Sequence, residues 1–182
     1  MVSELSPPEQ AAIVQDFLTG LVGAFGLSAT VVDGQLDEDT MEVRVEGDEL
    51  GLLIGPRGQT LQAVQELARA TVQRRLAGGH EARVRIDVAG YRQRRREALA
   101  RFAEQVAADV AASGAPKALE PMGGADRKVV HDTINEIVGV ATVSQGEEPY
   151  RRVVIVPAEA AGDESAGSGD GGSAEADSFE EE

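Results

Sequence analysis

Two segments alternate apolar and charged residues, Met41-Glu42-Val43-Arg44-Val45-Glu46 and Arg83-Val84-Arg85-Ile86-Asp87-Val88. They bracket a stretch of helical spacing that is broken in its middle by Gly55-Pro56-Arg57-Gly58. A period of two marks a strand with one buried face, and a period near 3.6 marks an amphipathic helix. The intervening stretch therefore reads as two helical pieces. One runs from Leu50 to Ile54 and ends at Gly55; the other runs from Gln59 to about Leu76, with Leu61, Val64, Ala68 and Val72 on one face. Upstream, residues 6–9, Ser-Pro-Pro-Glu, have the form of a capping box with proline in the first turn, so a helix is predicted to start there. Val14, Phe17, Leu18, Leu21, Val22 and Phe25 give that helix its apolar face, and Gly26 stops it. Ala29 to Val32 is a short β-branched run, Asp33-Gly34 a loop signal, and Asp37-Glu38-Asp39 a hairpin connection. The predicted order is helix, strand, strand, helix, helix, strand.

Gly78-Gly79 ends the helical stretch, with His80 beside them as a loop residue, and past Gly90 the pattern restarts. Residues 91–113 read as a long helix with Leu99, Phe102, Val106 and Val110 inward and Arg92, Arg94, Arg95, Arg96 and Arg101 largely outward. That arginine run is either a stripe facing RNA or a solvated helix face. Gly114-Ala115-Pro116 breaks the helix, and Lys117 to Met122 is an extended piece. A further helix follows from about Ala125 to Ile137, then two strands, Ala141-Thr142-Val143 and Arg152 to Val156.

The 182 residues suffice for one ordinary domain or two small ones. With 42% apolar residues, 3% aromatics and no Trp, any core must be built of Ala, Val, Leu and Ile. The absence of cysteine excludes disulfides, thiolate metal sites and cysteine nucleophiles. No signal peptide and no bilayer-spanning apolar run is visible, so a cytoplasmic protein with no membrane insertion is expected.

The net charge of −15 hides a division along the chain. Residues 1–50 carry 11 carboxylates against one base, Arg44, and residues 158–182 carry nine carboxylates and no base. Between them, residues 51–157 carry 16 bases and 12 acids. A basic body between acidic ends is compatible with a nucleic-acid partner despite the low overall pI. From Ala158 onward Gly, Ser, Ala, Asp and Glu dominate, and a segment with one large apolar residue, Phe179, is predicted to be a disordered acidic tail. Tethered to a basic body, such a tail is either a weak competitor for RNA or a solubilising terminus.

Glycines three apart in Gly55-Pro56-Arg57-Gly58 let a backbone turn tightly and let a phosphate approach main-chain amides. The helix beginning at Gln59 adds its positive N-terminal end, and Arg57 a full charge. Alone, a Gly-x-x-Gly is usually a turn. In this order of elements it resembles the KH domain of type II topology, whose loop clamps about four nucleotides. The resemblance covers about residues 8–89.

Arg127 and His131 lie four apart, so they share one face of a predicted helix, with Lys128 beside them. On spacing alone a capping or packing His is the more ordinary reading; unperturbed, it would titrate near pH 6.5. The flanking residues change this. Leu119-Glu120-Pro121-Met122 before the helix, and Ser144-x-Gly146-x-x-Pro149-x-Arg151-Arg152-Val153-Val154-Ile155 after it, resemble the R-3-H domain, named for its Arg-x-x-x-His. That resemblance implies single-stranded nucleic-acid binding over about residues 95–157.

A KH module followed by an R-3-H module is similar to the bacterial Jag family, also called SpoIIIJ-associated or KhpB proteins. The resemblance implies an α+β protein: a type II KH domain (αββααβ) at 8–89, a small R-3-H α/β domain at 90–157, and the tail at 158–182. It further implies an RNA-binding protein with RNA chaperone action, tied to cell envelope growth and cell length. Single-stranded RNA and a small single-KH-domain protein are the implied partners. RNA contact is expected at Gly55, Pro56, Arg57, Gly58, Arg127, Lys128 and His131. With the first helix starting near Pro8, the extra N-terminal Jag domain of the fuller pattern is not expected in this sequence. An enzyme reading finds no catalytic set, no cofactor motif and no metal-ligand spacing. The remaining alternative is an interaction adaptor using a KH fold without RNA, against which the intact, acid-free glycine loop argues.

Overall fold

The computed structural model describes residues 5–37, 40–76 and 81–161. The chain divides into two compact units, Met1–Arg95 and Arg96–Glu182, with the division inside one long helix.

Unit 1 begins with α1 (Pro7–Ala24). The backbone N–H and Oγ of Ser6 both donate to Glu9 Oε2 at 2.7 Å, which satisfies the N-terminus and holds the Glu9 carboxyl below its ordinary pKa. Ala11, Val14, Leu18 and Val22 repeat at helical spacing and are buried. Each such Val or Leu contributes on the order of 1.5–3 kcal/mol. Phe17 and Leu21 flank this stripe, whereas Phe25, expected on it, is 49% exposed because the chain leaves the helix at Phe25 and Gly26.

Strands β1 (Ala29–Gln35), β2 (Thr40–Gly47) and β3 (Arg83–Val88) form one sheet in the order β1-β2-β3. β1 runs through Asp33-Gly34, which the sequence suggests as a loop, because its antiparallel ladder with β2 continues to Gln35 opposite Met41. Of the expected hairpin connection, Glu38 and Asp39 lie outside the described residues. β2 and β3 are parallel, Val43 opposite Ile86, so the chain between them must cross over. That crossover is α2 (Gly51–Ile54), a 3₁₀ turn at Pro56–Gly58, and α3 (Gln59–Gln73). α1 and α3 pack on the sheet through Val43, Val45, Ile86 and Val88, and Leu53, Leu61, Val64, Ala68 and Val72 complete the core.

Two glutamines finish the sheet edges. Gln65 of α3 donates to Val84 O at 2.9 Å and accepts from Ile86 N–H at 2.8 Å, so its amide stands where a neighbouring strand's peptide would. Gln15 donates to Val31 O at 3.0 Å on the opposite edge.

The helix α4 (Tyr91–Ser113) follows β3 through Ala89 and Gly90, both left-handed at φ 49° and 69°. Arg92 and Arg94 are expected outward, but both fasten this junction. Arg92 donates from Nε to Ile86 O and from its backbone N–H to Asp87 Oδ1, and Arg94 donates to Ala89 O. Burial, with Arg85 beside it, pulls Arg92 below the ordinary arginine value, while Asp87 and Glu42 oppose that shift.

In unit 2, Ala103, Val106, Ala107 and Val110 of α4 are buried, and Phe102, expected inward, is 48% exposed because the alanines occupy the core face. β4 (Lys117–Ala118), α5 (Gly124–Asn135), β5 (Val140–Gln145) and β6 (Arg152–Pro157) follow, with strands in the antiparallel order β4-β6-β5. Val130 and Ile134 of α5 close the core on Val153 and Ile155. The expected tail does not start unstructured at Ala158: Ala158–Ala161 is a helical turn, α6, begun by Ala158 N–H donating to Gly139 O. The rest of the tail, with His80 and Gly78-Gly79, lies outside the described residues.

Candidate nucleic-acid interface

The glycine loop joins α2 to α3 with a backbone most L-residues avoid. Gly55 has φ 68° and ψ 178°, a region open essentially to glycine alone, and Arg57 and Gly58 are left-handed at φ 54° and 81°. Gly55 N–H donates to Gly51 O at 2.8 Å and Gly58 N–H to Gly55 O at 3.2 Å. The glycines are also required by space. A Cβ on Gly55 would fall 2.0 Å from Thr60 Oγ1, and one on Gly58 would fall 2.7 Å from Tyr91 Cε1. Pro56 and Arg57 are exposed at the tip, and the N-cap of α3, Gly58, supplies no side-chain cap. The turn thus presents the positive end of a 15-residue helix together with a guanidinium, an arrangement that attracts phosphate. Leu52, 66% exposed three residues before Gly55, adds an apolar side chain. The sequence reading missed Tyr91, whose place depends on the reversal at Ala89-Gly90.

In unit 2, α5 places Arg127, Lys128 and His131 differently from one another. Lys128 is exposed and paired with Asp132 at 2.9 Å. The Arg127 side chain is 11% exposed; Nη1 donates to Met122 O at 2.8 Å and Nη2 meets Glu148 Oε1 at 2.7 Å. His131 uses both ring nitrogens on hydroxyls of β5, Nδ1 with Thr142 Oγ1 at 2.6 Å and Nε2 with Ser144 Oγ at 2.8 Å. A neutral imidazole donates one of these bonds and accepts the other. Burial, then the Arg127 charge and more weakly Arg151, hold His131 below its ordinary value of 6.5 against the pull of Asp132. The expectation of titration near 6.5 is therefore corrected downward. Tyr150, 75% exposed, and the exposed Arg151 stand in the turn between β5 and β6.

Among known families, residues 11–88 match the KH domain of the KhpA/KhpB type and residues 97–157 match the R-3-H domain. The RNA-binding protein KhpB of Clostridium symbiosum is 35% identical over 141 residues, covering 77% of this chain and 63% of that protein. The protein of the same name from Lactiplantibacillus plantarum is 34% identical over 77% of this chain and 42% of its own length. That of Bacillus subtilis is 31% identical over 157 residues, 85% of this chain and 73% of the relative. The chain belongs to the KhpB family. It is a mixed α/β member with the KH domain before the R-3-H domain, as the motif order implies. It spans less than two thirds of the first two KhpB relatives. Among the described residues no helix is long and apolar enough to cross a membrane.

Proposed function

We propose that the protein binds single-stranded RNA, with the strand's phosphates seated on the Gly55–Gly58 loop. The observation that carries this is the loop's geometry: a glycine-only backbone, a helix N-terminus whose N-cap is Gly58 and exposed Arg57 at one turn. The KH match and the name of the relatives support RNA as the polymer. Contact at the Arg127, Lys128 and His131 end of α5 is part of this reading. So is action by binding rather than catalysis, in the cytoplasm. A KH domain of the type shared by KhpA and KhpB favours a small single-KH protein as partner. RNA chaperone action and a role in envelope growth and cell length rest on the family resemblance.

The test replaces Pro56 and Arg57 together by Asp, both exposed, so the fold should survive. Affinity for a short single strand should fall at least about tenfold, the scale of losing one or two charged contacts. Unchanged affinity in a variant with wild-type circular dichroism would leave the KH unit as a protein-docking module instead.

A further inference from the structure

The two residues that name the R-3-H motif have their polar atoms engaged inside the fold. Arg127 spans from Met122 O to Glu148, and Met122 N–H in turn donates to Arg151 O at 3.1 Å. His131 spans Thr142 and Ser144. These bonds converge on one object, the turn between β5 and β6, holding it from both of its strands. A ring with both nitrogens bonded has none left for a ligand, and a guanidinium 11% exposed and already ion-paired has little to offer one.

We propose that Arg151 is the cation through which unit 2 holds a phosphate of the single strand, and that Arg127 and His131 are positioning residues that hold the turn carrying it. The inference rests on the RNA-binding reading above. Register places Arg151 where the role requires. Ser144 pairs with Val153 and Gln145 with Arg152, so the next position brings Arg151 opposite Gly146. Side chains alternate along a strand, so Arg151 falls on the same face as Val153 and Ile155, the face His131 and α5 pack against. Val153 and Ile155 are fully buried there, whereas Arg151 is exposed at the open end of the row. Its guanidinium makes no hydrogen bond or ion pair among the described residues, in contrast to those of Arg127 and Arg92. The pull of its charge on His131 is a further sign of proximity. Glu148 neutralises Arg127 within the turn. Arg152 is exposed too, but alternation puts it on the opposite face, so on the face shared with Val153 and Ile155 the cation without an ion pair among the described residues is Arg151.

The salt dependence of binding separates a phosphate contact from a positioning role, because each phosphate contact on a single strand adds about 0.7 to the slope of log affinity against log salt. The full chain is titrated with a 5′-labelled 16-nucleotide single-stranded RNA over a range of salt. Arg151→Gln should weaken binding about threefold to tenfold and lower the slope by about 0.7. The pair Arg127→Gln with Glu148→Gln, which removes both charges and keeps hydrogen-bonding amides, should leave the slope at the wild-type value. His131→Ala should weaken binding and speed amide hydrogen exchange of residues 146–151, and Arg151→Gln should leave that exchange unchanged. A slope unchanged by Arg151→Gln, or lowered by the paired glutamines, overturns the assignment while leaving RNA binding intact. Failure of the wild-type chain to bind the strand overturns the RNA-binding reading itself.

Discussion

The ring of Tyr91 lies against the α-carbon of Gly58, so close that a Cβ there would come within 2.7 Å of Cε1 and 3.1 Å of the hydroxyl. Gly58 is left-handed and Tyr91 follows the two left-handed residues Ala89 and Gly90, so two irregular backbones meet at this contact. Such backbone persists only where surrounding contacts over-determine it. Here Arg92, Arg94 and the bond from Ala89 N–H to Val45 O do so. Tyr91→Ala should weaken RNA binding with little change in secondary structure, and Tyr91→Phe should restore most of it, because the ring makes the contact. Gly58→Ala should cost more, combining about 1–2 kcal/mol of left-handed strain with displacement of the ring. Titration of a short RNA with the three variants checks the order.

Gln65 gives a stability prediction. Removing its amide leaves Ile86 N–H and Val84 O on a partly covered strand edge without their partner. Gln65→Leu should destabilise unit 1 by about 1–3 kcal/mol, read from the urea midpoint, because a lost partner costs more than the bond itself gains. Gln65→Glu keeps an acceptor for Ile86 N–H but sets a carboxylate against Val84 O, and should be no better.

His131 makes the stability of unit 2 depend on pH. Its folded value lies below 6.5, so the unfolded chain takes up a proton first as pH falls. The contribution of neutral His131 is complete above about pH 6.5 and is lost as pH drops from there toward the lowered folded value. His131→Gln should flatten that part of the profile, read by thermal unfolding between pH 7.5 and 5. RNA binding should weaken, not strengthen, over the same range, since protonation removes the nitrogen that accepts from a β5 hydroxyl.

Tyr150, 75% exposed beside Arg151, presents an aromatic ring to solvent. Stacking of a base on such a ring is worth about 1–3 kcal/mol. Tyr150→Ala should weaken binding to a 16-nucleotide RNA at least about fivefold without changing the salt slope, because no charge is lost. An equal loss for tetranucleotides would place the ring's effect at the glycine loop instead.

The elements whose periods are long and unbroken were legible from the residues. Examples are the face of Leu61, Val64, Ala68 and Val72 on α3, and the alternation of β2 and β3. The misreadings have physical causes. Asp33-Gly34 has turn chemistry, but a partner strand opposite it outweighs local preference. Phe102 lies beside, not on, the stripe of Leu99, Ala103, Val106, Ala107 and Val110 that faces the core, and its size alone does not bring it in. At the site, Gly55 to Gly58 could be found because glycine spacing is a local signal. Tyr91 could not, since its contact depends on a reversal at Ala89, a residue type that gives no hint of a positive φ. The internal partners of Arg127 and His131 were likewise hidden, because Glu148, Thr142 and Ser144 join them only once β5 and β6 pair.

The parallel pairing of β2 with β3 sets a timetable for synthesis. The glycine loop leaves the ribosome roughly thirty residues before the strand that completes its sheet, and Tyr91 emerges only after that strand. The antiparallel pair β1–β2 can close on its own, whereas Ile86 and Val88, which complete the core against α3, arrive only with β3. A nascent chain arrested before β3 therefore carries the glycine loop without Tyr91 against Gly58 and without the strand whose edge Gln65 completes.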